Sequence, residues 1–278
     1  GYSSWGSSGN AGKNHHNGVK VFFNINQNLI NDSASVSLEF FDSNKKLIKR
    51  FSSDDKKYKL VLNGKKNSFV WNMRYDDAKG FDGLIMWAAS LRGPKAAPGE
   101  YFVKLNVNSE SMETNFTILK DPRSLSSNSD LKEQFGFLIS IRDKINTIHK
   151  SIEEIRSTRN QLNDLKNKLD ENHTEINVMI DEINTKISKI EKELYQTKNR
   201  SGQDPLNFPI RLNNKLAHLT SVASVGNFKP TDQMYDVRDE LLILIDKELE
   251  SWESIKSIDL EQLNTTIIKN NIQLISIN

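Results

Sequence analysis

An isoleucine and leucine repeat in the C-terminal half constrains this chain more than any other feature. Seam positions run Leu131, Phe135, Leu138, Ile141, Ile145, Ile148, Ile152, Ile155, Leu162 and Leu169, in steps of three and four with Arg159 as the main interruption. A second run gives Ile176, Ile180, Ile183, Ile187, Ile190 and Leu194. Such spacing places every apolar group on one stripe of a helix, and the stripe demands a partner. The break at Asn172-His173-Thr174 is long enough only for a reversal. The pattern therefore predicts an antiparallel helical hairpin with a coiled-coil-like seam. At about 1.5 Å per residue its first arm is roughly 60 Å long, with Ser129 as the expected N-cap. Gln203-Asp204-Pro205-Leu206-Asn207-Phe208-Pro209 interrupts the helices, and a short helix is expected from Ile210 to Ala223. After a turn at Gly226–Pro230, Thr231 or Asp232 caps a last helix carrying Val237, Leu241, Leu244, Glu248, Trp252 and Ile255 and running on through Leu260, Leu263 and Ile267. The sum is a bundle of three or four helices.

The first half reads differently. Val19 to Phe23 opens a β pattern, and Val36, Leu38 and Phe40 alternate with Ser35, Ser37 and Glu39. Alternation with period two buries one face of a strand. Turn residues Asp42-Ser43-Asn44-Lys45 lead into Leu47–Phe51, Tyr58–Leu62 is a further expected strand, and Phe69–Met73 carries a central Trp71. Tyr101–Asn108 and Met112–Leu119 form a last hairpin. About seven short strands with turn signals between them predict an immunoglobulin-like β-sandwich. The expected organisation is a linker or end of an upstream domain over 1–18, the sandwich over 19–120 and the helical bundle over 121–278.

Composition narrows the function classes. The 38 basic and 36 acidic residues are interleaved, and the formal charge is +2. Nothing concentrates positive charge as nucleic acid or an anionic membrane surface requires. No apolar run approaches the roughly 18 residues needed to span a bilayer. Cysteine is absent, so disulfides and thiolate metal sites are excluded. The chain opens at Gly1 with neither Met nor a signal peptide, which predicts a piece of a longer polypeptide.

No nucleophile elbow, phosphate loop, dinucleotide fingerprint, zinc-protease motif or EF-hand loop occurs. No catalytic residue, cofactor or metal is therefore assigned. The acidic stretch Asp76-Asp77-Ala78-Lys79-Gly80-Phe81-Asp82-Gly83 supplies oxygen ligands of the kind Ca²⁺ takes, yet it lacks the alternating ligand spacing and carries Lys79. It reads first as a solvated loop. Asp76 and Asp82 can also be posed as the acid and nucleophile of glycoside cleavage. Trp71 reads as core. Trp87, in the long segment Gly83–Pro98, is the better ligand candidate, because aromatic faces stack on sugar rings and long loops on rigid scaffolds carry binding. Asp82 and Arg92 flank it and complete the candidate set. His149, His173 and His218 lie on separate helical segments with no ligand spacing, and His173 and His218 read as capping or surface groups. Asp32-Ser33-Ala34 matches an O-glycosylation acceptor pattern, as commonly happens with three-residue motifs.

Several of these motifs together resemble a known family. Gly12-Lys13-Asn14-His15-His16-Asn17-Gly18-Val19 leading into Val21-Phe22-Phe23, the Trp71 strand Phe69–Tyr75, Gly93-Pro94, Ala97-Pro98-Gly99-Glu100-Tyr101 and the exit Lys120-Asp121-Pro122-Arg123 look like the Ig-like module of VPS10/sortilin-like, BNR-repeat "glycosyl hydrolase" proteins of Bacteroidota. His15 and His16 stand where that family usually has prolines. The block Gln203 to Leu216 resembles the family's C-terminal helical region. The β part also resembles the Ig-like domain of flagellar hook-capping proteins.

The first resemblance implies a non-catalytic accessory module with a β-propeller upstream, in an exported protein of the periplasm or cell surface. The partners it implies are that propeller and other cell-envelope proteins. Two alternatives stay open. One is a part of a glycoside hydrolase that contributes to glycan binding; the other is a subunit of a larger envelope assembly docking through the helical hairpin. Whether the parent protein is an enzyme is left open by the same residues, since a propeller fold does not define an activity.

Overall fold

A computed structural model describes residues 16–26, 35–170 and 172–272. The entry through His15 and the Asp32-Ser33-Ala34 motif lie outside the described residues. The chain has mixed β and α content, two antiparallel sheets followed by helices. It forms two compact units, Gly1–Asp76 with Lys95–Asp121, and Asp77–Pro94 with Pro122–Asn278.

The first unit holds β1 (Val19–Asn24), β2 (Val36–Phe41), β3 (Leu47–Ser52), β4 (Lys66–Trp71), β5 (Gly99–Val107) and β6 (Glu110–Ile118). β1 pairs with β4, and the other sheet has the order β3-β2-β5-β6. The alternation of the sequence sends Val36, Leu38 and Phe40 inward with Val103 and Val107. Phe40 on β2 stacks on Trp71 of β4 at 4.6 Å between ring centroids, and Phe51 on β3 meets Phe69 of β4 at 4.5 Å, so aromatic pairs join the two sheets. Phe116 and Tyr101 complete the aromatic cluster. Trp71 is fully buried, and its indole N–H donates to the carbonyl of Arg74 at 3.1 Å.

Tyr58–Leu62 differs from expectation. It is not a ladder strand, and its main chain meets the sheet through an isolated bridge between Ser52 and Lys59. The Asp55 carboxylate accepts from the N–H groups of Lys57 and Tyr58 at 2.7 and 3.0 Å, so the first donor of the segment is used locally, and Leu60 N–H reaches β3 at Ser52 O. Such side-chain capture of the backbone competes with strand pairing. Among the described residues the strands therefore number six rather than about seven.

The helical unit runs α1 (Asn128–Lys166), α2 (Thr174–Leu194), a 3-10 turn (Asp204–Leu206), α3 (Leu212–Ala223), α4 (Asp232–Ser254), a π-helical stretch (Ile255–Asp259) and α5 (Leu260–Lys269). The cap of α1 is Ser127 rather than Ser129. The Ser127 hydroxyl accepts the Asp130 N–H while the Asp130 carboxylate accepts the Ser127 N–H, a reciprocal box that Ser129 has no acid to complete. Those bonds hold the Asp130 carboxyl below the usual carboxylate range. Ile141, Ile145, Ile148, Ile152 and Ile155 are buried with Ile176, Ile180, Ile183, Ile187 and Ile190. Arg159, the interruption in the repeat, is accommodated by charge. The carboxylate of Glu191 on α2 accepts from Arg156 and Arg159 at 2.7 Å each.

Ile152→Ala should therefore destabilise the protein by about 2–5 kcal/mol through lost burial and a residual cavity. Val178→Ala, at a half-exposed position of α2, should change stability by less than about 0.5 kcal/mol. Urea unfolding of the two variants checks both.

Candidate functional site

The three residues nominated from sequence, Asp82, Trp87 and Arg92, all lie in Asp77–Pro94, which belongs to the helical unit. It is not a solvated loop. Ala78 and Phe81 are buried in the helical core, and Leu84, Met86, Ala89 and Leu91 pack against it. The segment first closes on itself. Ala78 N–H donates to Leu91 O at 2.7 Å, and the Asp77 carboxylate accepts Gly93 N–H at 2.8 Å. Gly83 supplies a left-handed turn with φ 74°, and Ala88 takes φ 49°, a conformation that is strained for a residue with a Cβ.

Helix side chains then satisfy its main chain one group at a time. Asn146 accepts Lys79 N–H at 2.7 Å, and His149 Nδ1 meets Lys79 O at 2.6 Å. Tyr195, at the end of α2, accepts Ile85 N–H at 3.1 Å and donates to Gly83 O at 3.2 Å. On α3, the Asn214 side-chain amide pairs with both main-chain groups of Trp87, accepting at 2.7 Å and donating at 2.8 Å. His218 Nδ1 meets Ala88 O at 2.7 Å, which holds the strained residue in place. Phe81 sits edge-on to His149 and to Tyr195, each at 5.0 Å, with the Arg156 guanidinium 4.7 Å from its ring centre.

This arrangement fixes the state of His149. A carbonyl only accepts, so Nδ1 carries the proton, and Nε2 accepts from the Asn213 side chain at 3.2 Å. This pairing suits the neutral ring. Burial pushes its pKa below the ordinary value, against the hydrogen bond to Lys79 and the nearby charge of Glu153, which both favour the cation.

The nominated residues fare differently from one another. Trp87 has a fixed backbone and is 39% exposed as a residue, which makes it the large aromatic group that this segment offers to solvent. The Asp82 side chain is exposed, and only its carbonyl is engaged, by Arg156 at 3.5 Å. Arg92 is exposed, and its N–H donates to the Ser90 hydroxyl. Asp76 falls in the other unit, where it pairs with Lys49 at 3.3 Å. Among the described residues no three His, Asp or Glu side chains gather as metal ligands. His173 precedes α2 without a side-chain capping bond and pairs with Asp170 at 2.6 Å. A shallow groove of about 600 Å³ beside the π-helical stretch is lined by Lys186, Lys189, Lys247, Glu248 and Asp259 among others. Its charges alternate, so no net field selects a charged ligand.

Asn146, Tyr195, Asn213 and Asn214 were not singled out by sequence reasoning, and His149 was weighed only as a metal ligand. One signal was present: adjacent asparagines are poor helix formers, and two of them on a short helix otherwise built for burial mark a bonding task. Comparison with known proteins found no matching protein family, no matching curated protein and no matching solved structure.

The neutral, buried His149 makes stability depend on pH. The unfolded chain binds a proton here that the folded chain resists, so the contribution is complete above pH about 6.5 and declines as pH falls below it. Urea unfolding should show lower stability at about pH 5.5 than at about pH 7.5, a window in which carboxylates stay ionised. His149→Gln should flatten that slope.

Proposed function

We propose that this chain is a non-catalytic accessory and interaction module, an Ig-like β-sandwich joined to an antiparallel helical bundle with a coiled-coil-like hairpin. In this reading it orients or docks an upstream propeller of an exported protein, in the periplasm or at the cell surface. One observation carries it. The polar side chains of Asn146, His149, Tyr195 and Asn214 are committed to the main chain of Asp77–Pro94. They hold a scaffold in shape and are not left free for a substrate. Two features favour the Ig-like description: the buried Trp71 on a strand, and Tyr101, whose hydroxyl donates to Ala97 O four residues upstream at 2.7 Å. Burial pushes the Tyr101 phenol up to about 12. The resemblance to the C-terminal region of VPS10/sortilin-like BNR-repeat proteins supports the upstream propeller and the export.

A second reading rests on Trp87. The residue is exposed while its backbone is clamped, which suits stacking on a sugar as part of a glycoside hydrolase. Two measurements separate the readings. Peptide mapping of the native polypeptide from its source should find a propeller upstream of Gly1, and the present chain should turn over none of a panel of aryl glycosides. Glycoside turnover by this chain would defeat the accessory reading. Oligosaccharide binding that Trp87→Ala reduces at least tenfold, without turnover, would support a glycan-contacting role for the segment.

A further inference from the structure

The four-stranded sheet ends on two edges that are built differently. At β3 the pairing with β2 slips between Phe40 and Phe41, and Lys49, opposite Phe40, is buried with its ammonium 4.1 Å from the Tyr58 ring centre. The Ser52–Lys59 bridge lies along the same strand. A bulge, an inward charge and a covering segment are the devices that keep sheet edges from pairing. Among the described residues β6 has no bulge and no covering segment, and its two charges, Glu110 and Glu113, are exposed. Its nine residues, Glu110-Ser111-Met112-Glu113-Thr114-Asn115-Phe116-Thr117-Ile118, include no proline and no lysine and pair with β5 without a slip. Glu110 to Asn115 are all exposed.

The direction of the free main-chain groups follows from the ladder. Asn108, just beyond β5, donates its N–H to Ser35 O beside β2 at 2.9 Å. Along an antiparallel strand both groups of one residue point to the same side, and the sides alternate. Tyr101, Val103, Leu105 and Val107 therefore turn to β6 and bond Phe116, Thr114, Met112 and Glu110. Ser111, Glu113, Asn115 and Thr117 are left with N–H and C=O aimed away from the sheet.

We propose that this edge pairs antiparallel with β6 of a second copy of the chain, about a two-fold axis through Thr114. The strand is self-complementary in that register. Glu113 faces the partner's Asn115, Ser111 faces the partner's Thr117, and Met112 faces the partner's Phe116. Met112 is 74% exposed although it shares a face with Phe116, which packs on Phe40 and Trp71. Pairing covers it with an aromatic ring, the kind of cross-strand contact that stabilises sheets. A shift of the axis to Glu113 sets like charges opposite each other. A shift to Asn115 sets Met112 against Ile118, which is already buried in its own unit. The contact is isologous, so it closes at a dimer.

Sedimentation equilibrium of the intact chain over a wide concentration range tests this. The expected result is a monomer–dimer equilibrium whose dissociation constant rises at least tenfold in Asn115→Pro, which removes only an outward N–H, and in Met112→Lys. Unchanged near-UV circular dichroism and melting temperature show that each variant is folded, and if Asn115→Pro melts early, Met112→Lys decides alone. The chain has no cysteine, so Thr114→Cys offers a single thiol. Opposed residues of a non-hydrogen-bonded pair lie about 4.5 Å apart between Cα atoms, within disulfide reach. Oxidation should link the introduced thiols of two copies. A chain that stays monomeric at every concentration, a dimer that ignores both edge substitutions, or a dimer whose introduced thiols fail to link overturns the proposal.

Discussion

Peptide groups taken out of water must find partners, and a segment without helix or strand supplies few of its own. The helical unit is organised around meeting that demand for Asp77–Pro94. Its own apolar seam needs only isoleucine and leucine. Several of the polar side chains on α1 and α3 and at the end of α2 are set by the segment laid against them. Asn146 and His149 serve Lys79, Tyr195 serves Gly83 and Ile85, and Asn214 serves Trp87. Each partner is a side chain that both donates and accepts, or whose tautomer is selected by the carbonyl it meets. Removing one leaves an orphaned peptide group as well as a lost bond, and the orphan is the larger cost.

Charge enters the same construction in a subordinate role. Glu191 is buried, and such a carboxylate is tolerated because Arg156 and Arg159 both reach it. Arg156 also covers Phe81, the largest apolar group that the segment places in the helical core. One guanidinium thus neutralises the seam's acid and shields the ring. Lysine in its place would keep the charge and lose the planar contact.

How much of this was legible in the sequence depends on whether a residue's task is local. Helices α1 and α2 follow from the isoleucine spacing, because burial of a stripe is a periodic demand. The start of α1 was displaced from Ser129 to Ser127 by a single acid, Asp130, which chooses between two competent caps. Tyr58–Leu62 reads as a strand on side-chain pattern, while Asp55 captures the N–H of Tyr58, the segment's first donor, which that pattern ignores. Asp82, Trp87 and Arg92 were recognisable as unusual residues in a long excursion. Their surroundings were not, because an asparagine that pairs with a peptide group far away in the chain leaves no periodic trace. The pair Trp87 and Asn214 is separated by 127 residues, and nothing near either one names the other.

That separation has a consequence for synthesis. The segment Asp77–Pro94 emerges from the ribosome long before the helix that clamps it. At about 5–20 residues per second, Asn214 follows Trp87 by roughly 6–25 s. Throughout that interval the Trp87 main chain lacks the Asn214 amide that pairs with both of its groups. The clamp on this stretch therefore closes only once α3 has been made, and slowing the ribosome across α1 and α2 prolongs the time in which chaperones or neighbouring chains compete for the open peptide groups.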